Sequence, residues 1–382
     1  MDGVSEGVQY TNKFFWHQHS MDLIGNGAFG RVHKGRNQET GEFVAIKTCN
    51  RFNTQQHARE IEILQQISSP HIVRFIASDT IDQKNINGTK QMVLIMELAD
   101  GSVRDELKKL ENMFGLSYQI LLQLIDHLEK GLSYLNSKKI AHRDVKPENL
   151  LIFNNSGRMI FKLCDFGGSR FLTDNFQPLH SICGTPGYLN EYSTANLARK
   201  TTTLTYTKDE CDLWSVGCTL FECATGILPF VPEKGPADTP GMYNMMISRP
   251  SDAIFGRVSE TGQFLWQKDF PDGRPADTPG MYNMMISRPS DAIFGRVSET
   301  GQFLWQKDFP DGRCLYPKSF RRILSEFIRR LFDRRESTRL TFNEFDEMCK
   351  ELLNMKRILV FKMNILCLEE YFDTSTVEHF ER

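Results

Sequence analysis

The chain is most informative first in what it lacks. No apolar run in its 382 residues approaches the ~18–20 needed to span a bilayer, which excludes a helical membrane span. The opening MDGVSEGVQYTNK has neither the basic start nor the apolar stretch of a secretory leader, so none is expected. There is no C-x-x-C pair, and the nine cysteines are an odd number. Both facts argue against a disulfide framework or a zinc ribbon, and a reducing, cytoplasmic compartment is expected. Charge of one sign is missing too: 46 basic against 48 acidic groups leave a formal −2. That balance excludes nucleic-acid binding through a bulk electrostatic footprint. With 40% apolar and 25% charged residues, what remains is an ordinary globular chain, long enough for one large bilobal domain or two domains.

Self-comparison shows a perfect repeat. Residues 236–274 recur unchanged at 275–313, 39 residues twice. Solenoids and propellers need more copies, diverged around a shared core pattern. Two identical copies point instead to a recent in-frame duplication or a sequence-assembly error. In either case one copy is expected to belong to the fold and the other to be an insertion. The spare copy would expose Met, Ile, Phe and Trp, an aggregation hazard.

Residues 20–96 read as strand-rich, with EFVAIKT (42–48) and QMVLIM (91–96) as β-branched runs. One helix, 57–67, interrupts them, with Ile61, Leu64 and Ile67 on one face. From about residue 103 the period becomes helical: Ile120, Leu121, Leu124, Leu128, Leu132 and Leu135, then Phe320, Ile323, Leu324, Phe327, Ile328, Leu331 and Phe332. Arg321, Arg322, Arg329 and Arg330 form a solvated opposite face. The layout is a β-rich lobe followed by a helical one, with a crevice between them.

Four stretches carry chemistry. Gly25-Asn26-Gly27-Ala28-Phe29-Gly30-Arg31-Val32 lets backbone approach phosphate oxygens closely. A dinucleotide fold would start a helix here; VHKGRNQETGEFVAIK reads instead as a hairpin turning at Glu39-Thr40-Gly41, so a nucleotide-binding oxidoreductase is disfavoured. In Val44-Ala45-Ile46-Lys47, alternation puts Ala45 and Lys47 on one face, aiming the ammonium into the crevice. Glu60 in the helix is its expected ion-pair partner, with neighbouring Glu62 a decoy. In His142-Arg143-Asp144-Val145-Lys146-Pro147-Glu148-Asn149, Asp144 suits the orientation or deprotonation of a hydroxyl, Lys146 the neutralisation of a phosphoryl group, and Asn149 a metal. Asp165-Phe166-Gly167, ending a strand-like run (159–164), offers a hard oxygen ligand for Mg²⁺ on polyphosphate.

The set GNGAFGRV, VAIK, HRDVKPEN, DFG and DLWSVG (212–217) resembles the eukaryotic protein kinases over residues 20–355. The resemblance implies an α+β, bilobal protein-kinase fold: a small β-rich N-lobe (20–96) after an N-terminal extension (1–19), a hinge (97–102) and a large helical C-lobe (103–355). It implies ATP and Mg²⁺ as cofactors. Lys47 would pair with Glu60 and hold the α/β-phosphates, Asp165 and Asn149 would hold Mg²⁺, and Asp144 would be the catalytic base. The nucleotide would lie under Gly25–Gly30, against Val32, Ala45 and Leu151, with Met96 as gatekeeper and Glu97–Ala99 as hinge. Lys146 together with Gly184-Thr185 resembles the serine/threonine branch, so the implied partners are ATP and protein substrates bearing Ser/Thr.

Within the kinases, LIMELADGS, ATGILPFVPEKGP and MYNMMISRPSDAI with Trp266 look like the IκB-kinase-related branch, that of TANK-binding kinase and IκB kinase epsilon. The likeness implies a role in innate-immune or stress signalling. It also implies an activation-loop phosphosite at Ser181, filled by an upstream kinase or by trans-autophosphorylation, with Arg143 and Arg59 as phosphate-sensing residues. Residues 356–382 resemble the start of a ubiquitin-like domain, truncated inside its first helix, as in a fragment. The kinases' usual Ala-Pro-Glu is here Asn190-Glu191-Tyr192, and Glu191 is expected to meet Arg339. That departure and the duplication leave open an alternative, a catalytically weak kinase-fold scaffold that binds nucleotide or partners.

Overall fold

The computed structural model describes residues 8–17, 22–27, 30–49, 54–82, 90–112, 115–226, 228–230, 238–248, 296–297, 303–304, 318–333 and 340–354. Residues 355–382, where the ubiquitin-like start was expected, lie outside them, as do Arg339 and Trp266.

The first lobe is an antiparallel seven-stranded sheet: β1 (Val8–Tyr10), β2 (Phe14–His17), β3 (Leu23–Gly27), β4 (Gly30–Asn37), β5 (Phe43–Cys49), β6 (Phe75–Asp82) and β7 (Lys90–Glu97). The order is β1-β2-β4-β5-β7-β6, with β3 also paired to β4. The expected N-terminal extension thus contributes two strands, and Phe14–Trp16 pair with Gly35–Asn37. The β4–β5 turn forms because Asn37 Oδ1 accepts from the amides of Glu39 (2.8 Å) and Thr40 (3.2 Å), while Gly41 supplies a φ of +74°.

Period-two alternation splits the sheet's two faces. Val44, Ile46, Val93 and Ile95 bury one face against Phe14 and Trp16. The other face carries Ala45 and Lys47 toward the second lobe. There α1 (Thr54–Gln66) packs, burying His57, Glu60, Ile63 and Leu64 and leaving Glu62 exposed.

The second lobe holds β8 (Gly101–Ser102), α2 (Val103–Leu107), α3 (Tyr118–Ser137), β9 (Ile140–Ala141), β10 (Leu150–Asn155), β11 (Arg158–Leu163), β12 (Arg170–Phe171), α4 (Glu191–Arg199), α5 (Lys208–Thr225) and α6 (Thr239–Ser248). The short pair β13 (Arg296–Val297) and β14 (Phe303–Leu304) follows, then α7 (Lys318–Leu331) and a helix over 342–354, α8. Helix α5 starts on a capping box, Thr207 with Glu210, and stops at Gly226 in a left-handed conformation. It is buried along most of its length and packs against α7. One continuous core joins Leu64 and Ile72 of the first lobe to Leu121, Leu128, Trp214 and Phe327 of the second.

The repeat divides unequally. The helix of the first copy is α6, and its Met242 and Met246 are buried in the main core. The equivalent stretch of the second copy lies outside the described residues.

Candidate active site

Strand register assembles the crevice. Val32 lies opposite Lys47, and Ala45 opposite Met96; antiparallel partners share a face, so all four line the cleft side of the sheet. Leu151, on β10 opposite Ser102, rises from the other lobe. In the hinge, Glu97 accepts from Lys162 Nζ (2.7 Å) and the Arg74 amide (2.7 Å), and the Asp100 amide donates to the Ile152 carbonyl (2.9 Å). Ala99 lies half-buried between them. The glycine-rich hairpin brings Gly25 opposite Val32, Asn26 opposite Arg31 and Gly27 opposite Gly30. Gly30 is obligatory: at φ +146° a Cβ would meet the Thr48 carbonyl oxygen at 2.2 Å. Ala28 and Phe29, at the tip, lie outside the described residues.

Lys47 Nζ donates to Glu60 Oε1 at 2.6 Å and to Asp165 Oδ1 at 2.8 Å. Burial alone would lower the ammonium's pKa, but Asp165 and Glu60 outweigh it and hold the group above the ordinary lysine range. Asp165 is half-buried; desolvation would raise its carboxyl's pKa, but Lys47 outweighs it and holds the group below the usual range. The Asp165 carboxylate and the Lys47 ammonium therefore stay ionised at neutral pH. Asp165 itself is left-handed (φ 62°, ψ 78°), a costly backbone for a non-glycine residue. Its conformation is held by Phe166, buried against the His142 ring at 5.0 Å, and by Gln56, which donates to the Gly167 carbonyl.

The catalytic-type loop between β9 and β10 hangs on Asp212 of α5, whose carboxylate accepts from the amides of His142 (2.9 Å) and Arg143 (2.7 Å). Arg143 takes φ 72°, the left-handed region, between them. Asp144 comes next and is gripped on both oxygens. Oδ2 meets Lys146 Nζ (2.8 Å) and Asn149 Nδ2 (2.9 Å), and Oδ1 accepts from Thr185 Oγ1 (2.8 Å). Lys146 Nζ also donates to Thr185 Oγ1 at 2.5 Å. A carboxylate, a cation and the Thr185 hydroxyl are thus locked into one cluster.

The donor set suits a hard divalent cation. Asp165 Oδ2 and Asn149 Oδ1 accept no hydrogen bond from the described residues, so each has an oxygen to offer, the ligand type Mg²⁺ requires.

Ser181 lies beside this cluster. Arg143 Nη2 donates to Ser181 Oγ (2.9 Å), to the Ser181 carbonyl and to Tyr206 Oη (3.1 Å). No carboxylate among the described residues pairs with this buried guanidinium. Arg59 is elsewhere: it is exposed on α1, with its Nε donating to the Gln55 carbonyl at 3.3 Å. Glu191 opens α4 and is buried, while Asn190 caps that helix by accepting from the Ser193 amide at 2.8 Å.

Sequence reasoning missed several supporting residues. Asp212 stood in a quoted motif without a role. Tyr206 had no signal. Arg104 has none either, yet it joins Glu148 (2.7 Å), Glu222 (2.7 and 3.0 Å) and Tyr188 (2.6 Å) at the edge of the catalytic-type loop.

Comparison with known proteins agrees with this geometry. The family model of the protein kinase domain matches residues 18–355. Inhibitor of nuclear factor kappa-B kinase subunit epsilon from Mus musculus is 36% identical over 277 residues, covering 69% of this chain and 37% of that protein. An epsilon subunit homolog from Caenorhabditis elegans is 32% identical over 270 residues, covering 66% and 32%. The beta subunit from Bos taurus is 34% identical over 221 residues, covering 56% and 28%. The chain spans about a third of the length of these relatives. It belongs to the protein kinase family and is related to the IκB-kinase branch of serine/threonine kinases.

Proposed function

We propose that the chain is an ATP-dependent serine/threonine protein kinase that moves the γ-phosphate of ATP to Ser/Thr hydroxyls of signalling proteins. The observation that carries this reading is the assembled Lys47–Glu60 and Lys47–Asp165 pairing, facing an Asp144 held by Lys146, Asn149 and Thr185. Lys47 is placed to grip the α/β-phosphates, and Asp165 and Asn149 to hold Mg²⁺. Mg²⁺, when bound, neutralises charge on the phosphates. Asp144 orients the acceptor hydroxyl and takes its proton, and Lys146 offsets negative charge on the phosphoryl group in transit. Positioning and charge do the work, as phosphoryl transfer demands.

Ser181 is the proposed activating phosphosite. A buried Arg143 already donates to its hydroxyl, and a phosphate there would add about −1.5 to −2 of charge opposite a guanidinium that has no carboxylate partner among the described residues. An upstream kinase or trans-autophosphorylation would install it. We further propose a place in innate-immune or stress signalling, as the likeness to the IκB-kinase-related branch implies, and we place the protein in the cytoplasm. Among the described residues no helix is long and apolar enough to cross a membrane.

The test is transfer of labelled phosphate from ATP–Mg²⁺ to a generic Ser/Thr substrate, with Asp144→Asn as control. Loss of the base should cost roughly 10²–10⁴-fold. Unchanged turnover in Asp144→Asn would overturn the assignment. A parent protein that binds nucleotide but transfers nothing, before and after Ser181 phosphorylation, would make it a scaffold.

A further inference from the structure

One buried polar cluster takes no part in the chemistry above except through a single shared carboxylate. Cys49 ends β5, opposite Gly30, which flanks the tip of the glycine-rich hairpin. His57 and Glu60 stand on α1, one turn apart and on the same face. All three residues are more than nine-tenths buried, and their ligand-type atoms lie within 4.8 Å of one another. Glu60 is divided between two directions. Its Oε1 holds Lys47, whereas its Oε2 is buried, accepts no hydrogen bond, and faces His57 Nδ1 at 4.0 Å. A fully buried carboxylate oxygen left that way is costly, and it points into a space bounded by an imidazole and a thiol.

We propose that Cys49, His57 and Glu60 form a site for a soft divalent transition metal of the Zn²⁺ class, clamping β5 to α1. One sulfur, one imidazole nitrogen and one carboxylate oxygen are a zinc-type donor set. They would not suit Mg²⁺ or Ca²⁺, which demand oxygen alone. Bond lengths of about 2.0–2.3 Å place tetrahedral donors roughly 3.3–3.8 Å apart, so the cluster needs to contract by about 1 Å, with water as fourth ligand.

The charge also balances. Lys47, Glu60 and Asp165 sum to −1; adding a dication while the Cys49 thiol releases its proton to solvent adds +1, and the buried group becomes neutral. Because Glu60 is shared, the metal would fix α1 through the same side chain that positions Lys47. The site shares no ligand with Asp165 and Asn149, the residues proposed for Mg²⁺.

The experiment titrates the metal-stripped full chain with Co²⁺ alone. One equivalent should develop thiolate-to-cobalt charge-transfer absorption with tetrahedral ligand-field bands, and Zn²⁺ should displace it. Cys49→Ser and His57→Gln should each weaken binding roughly 100-fold or more, since losing even an outer partner of a metal ligand costs about 10–100-fold. Zn²⁺ should raise the melting temperature of the parent and of neither variant. Absence of the charge-transfer band in the parent, or a band of equal strength in both variants, would overturn the proposal. If Cys49→Ser fails to fold, the parent titration and His57→Gln still decide. No readout uses phosphate transfer, so a negative result leaves the kinase reading untouched.

Discussion

Arg104 offers the sharpest test of how the catalytic-type loop is held. It is the second residue of α2, and its guanidinium bonds Glu148 of the loop, Tyr188 of the activation segment and, through two nitrogens, Glu222 of α5. The contacts are unequal. Glu148 is 44% exposed, and such a pair is worth only about 0–1 kcal/mol. Glu222 is 7% exposed, and its bidentate pair carries the weight. Removing one partner of a buried pair costs about 3–5 kcal/mol, because the other charge is stranded. Tyr188 cannot make up the loss: burial first, and Glu222 second, push its pKa up, so it remains a neutral hydroxyl. Arg104→Met, which keeps most of the volume, should therefore lower stability by about 3–5 kcal/mol, near 6–15 °C in melting temperature. Arg104→Met/Glu222→Gln removes both charges and should recover most of it, ending within about 1–2 kcal/mol of the parent. Thermal and urea unfolding of the four proteins of this double-mutant cycle measures both numbers. A single variant within about 1 kcal/mol of the parent, or a double variant as unstable as the sum of the singles, would refute the stranded-charge reasoning.

Three further outcomes follow from the same structure. His127 is buried; desolvation, with the His71 ring second, pushes its pKa down to about 4, and its Nδ1 accepts from the Phe161 amide at 3.0 Å. The unfolded chain then binds the proton first, so stability falls as pH drops from about 6.5 toward 4; at pH 5 the loss should be about 2 kcal/mol, and His127→Gln should flatten it, as read by melting temperature against pH. Glu60→Gln removes one of the two carboxylates that Lys47 meets among the described residues, which should draw the ammonium off its position and cost about 10²-fold in kcat/KM for ATP; a loss under threefold in a steady-state assay would sink that role. Deleting 275–313 keeps α6, with Met242 and Met246 in the core, and should leave the melting temperature within about 4 °C of the parent, whereas Met242→Ala should cost ~2–5 kcal/mol.

What could be read from the sequence divides along a physical line. Period decides which way a side chain points, and period is visible in one dimension. Alternation along β5 put Ala45 and Lys47 on the crevice face, where register with Val32 and Met96 now places them. The helical period around Leu64 explains why Glu60, one turn earlier on the buried face, meets Lys47 while Glu62 faces solvent. The turn at Glu39–Gly41 was legible because Asn37 and a left-handed glycine act locally. The strands at 8–17 were not, since β2 is anchored on β4, about twenty residues on, and three- and four-residue strands show little alternation.

Which polar groups meet is a different question, decided by how the elements close on one another. Arg104 and Glu222 are 118 positions apart, and no spacing rule connects them. Asp212 reaches His142 and Arg143 across 70 and 69 positions. These partners are set once α2, α5 and the catalytic-type loop are packed into one core. Each is then bound to stay, because a buried charge or amide without a partner costs more than the bond itself contributes. The same logic bears on Glu60. Packing α1 on β5 positions Lys47 with one carboxylate oxygen and leaves the other facing Cys49 and His57. A carboxylate that Lys47 cannot spare is therefore also the one whose second oxygen most needs a ligand.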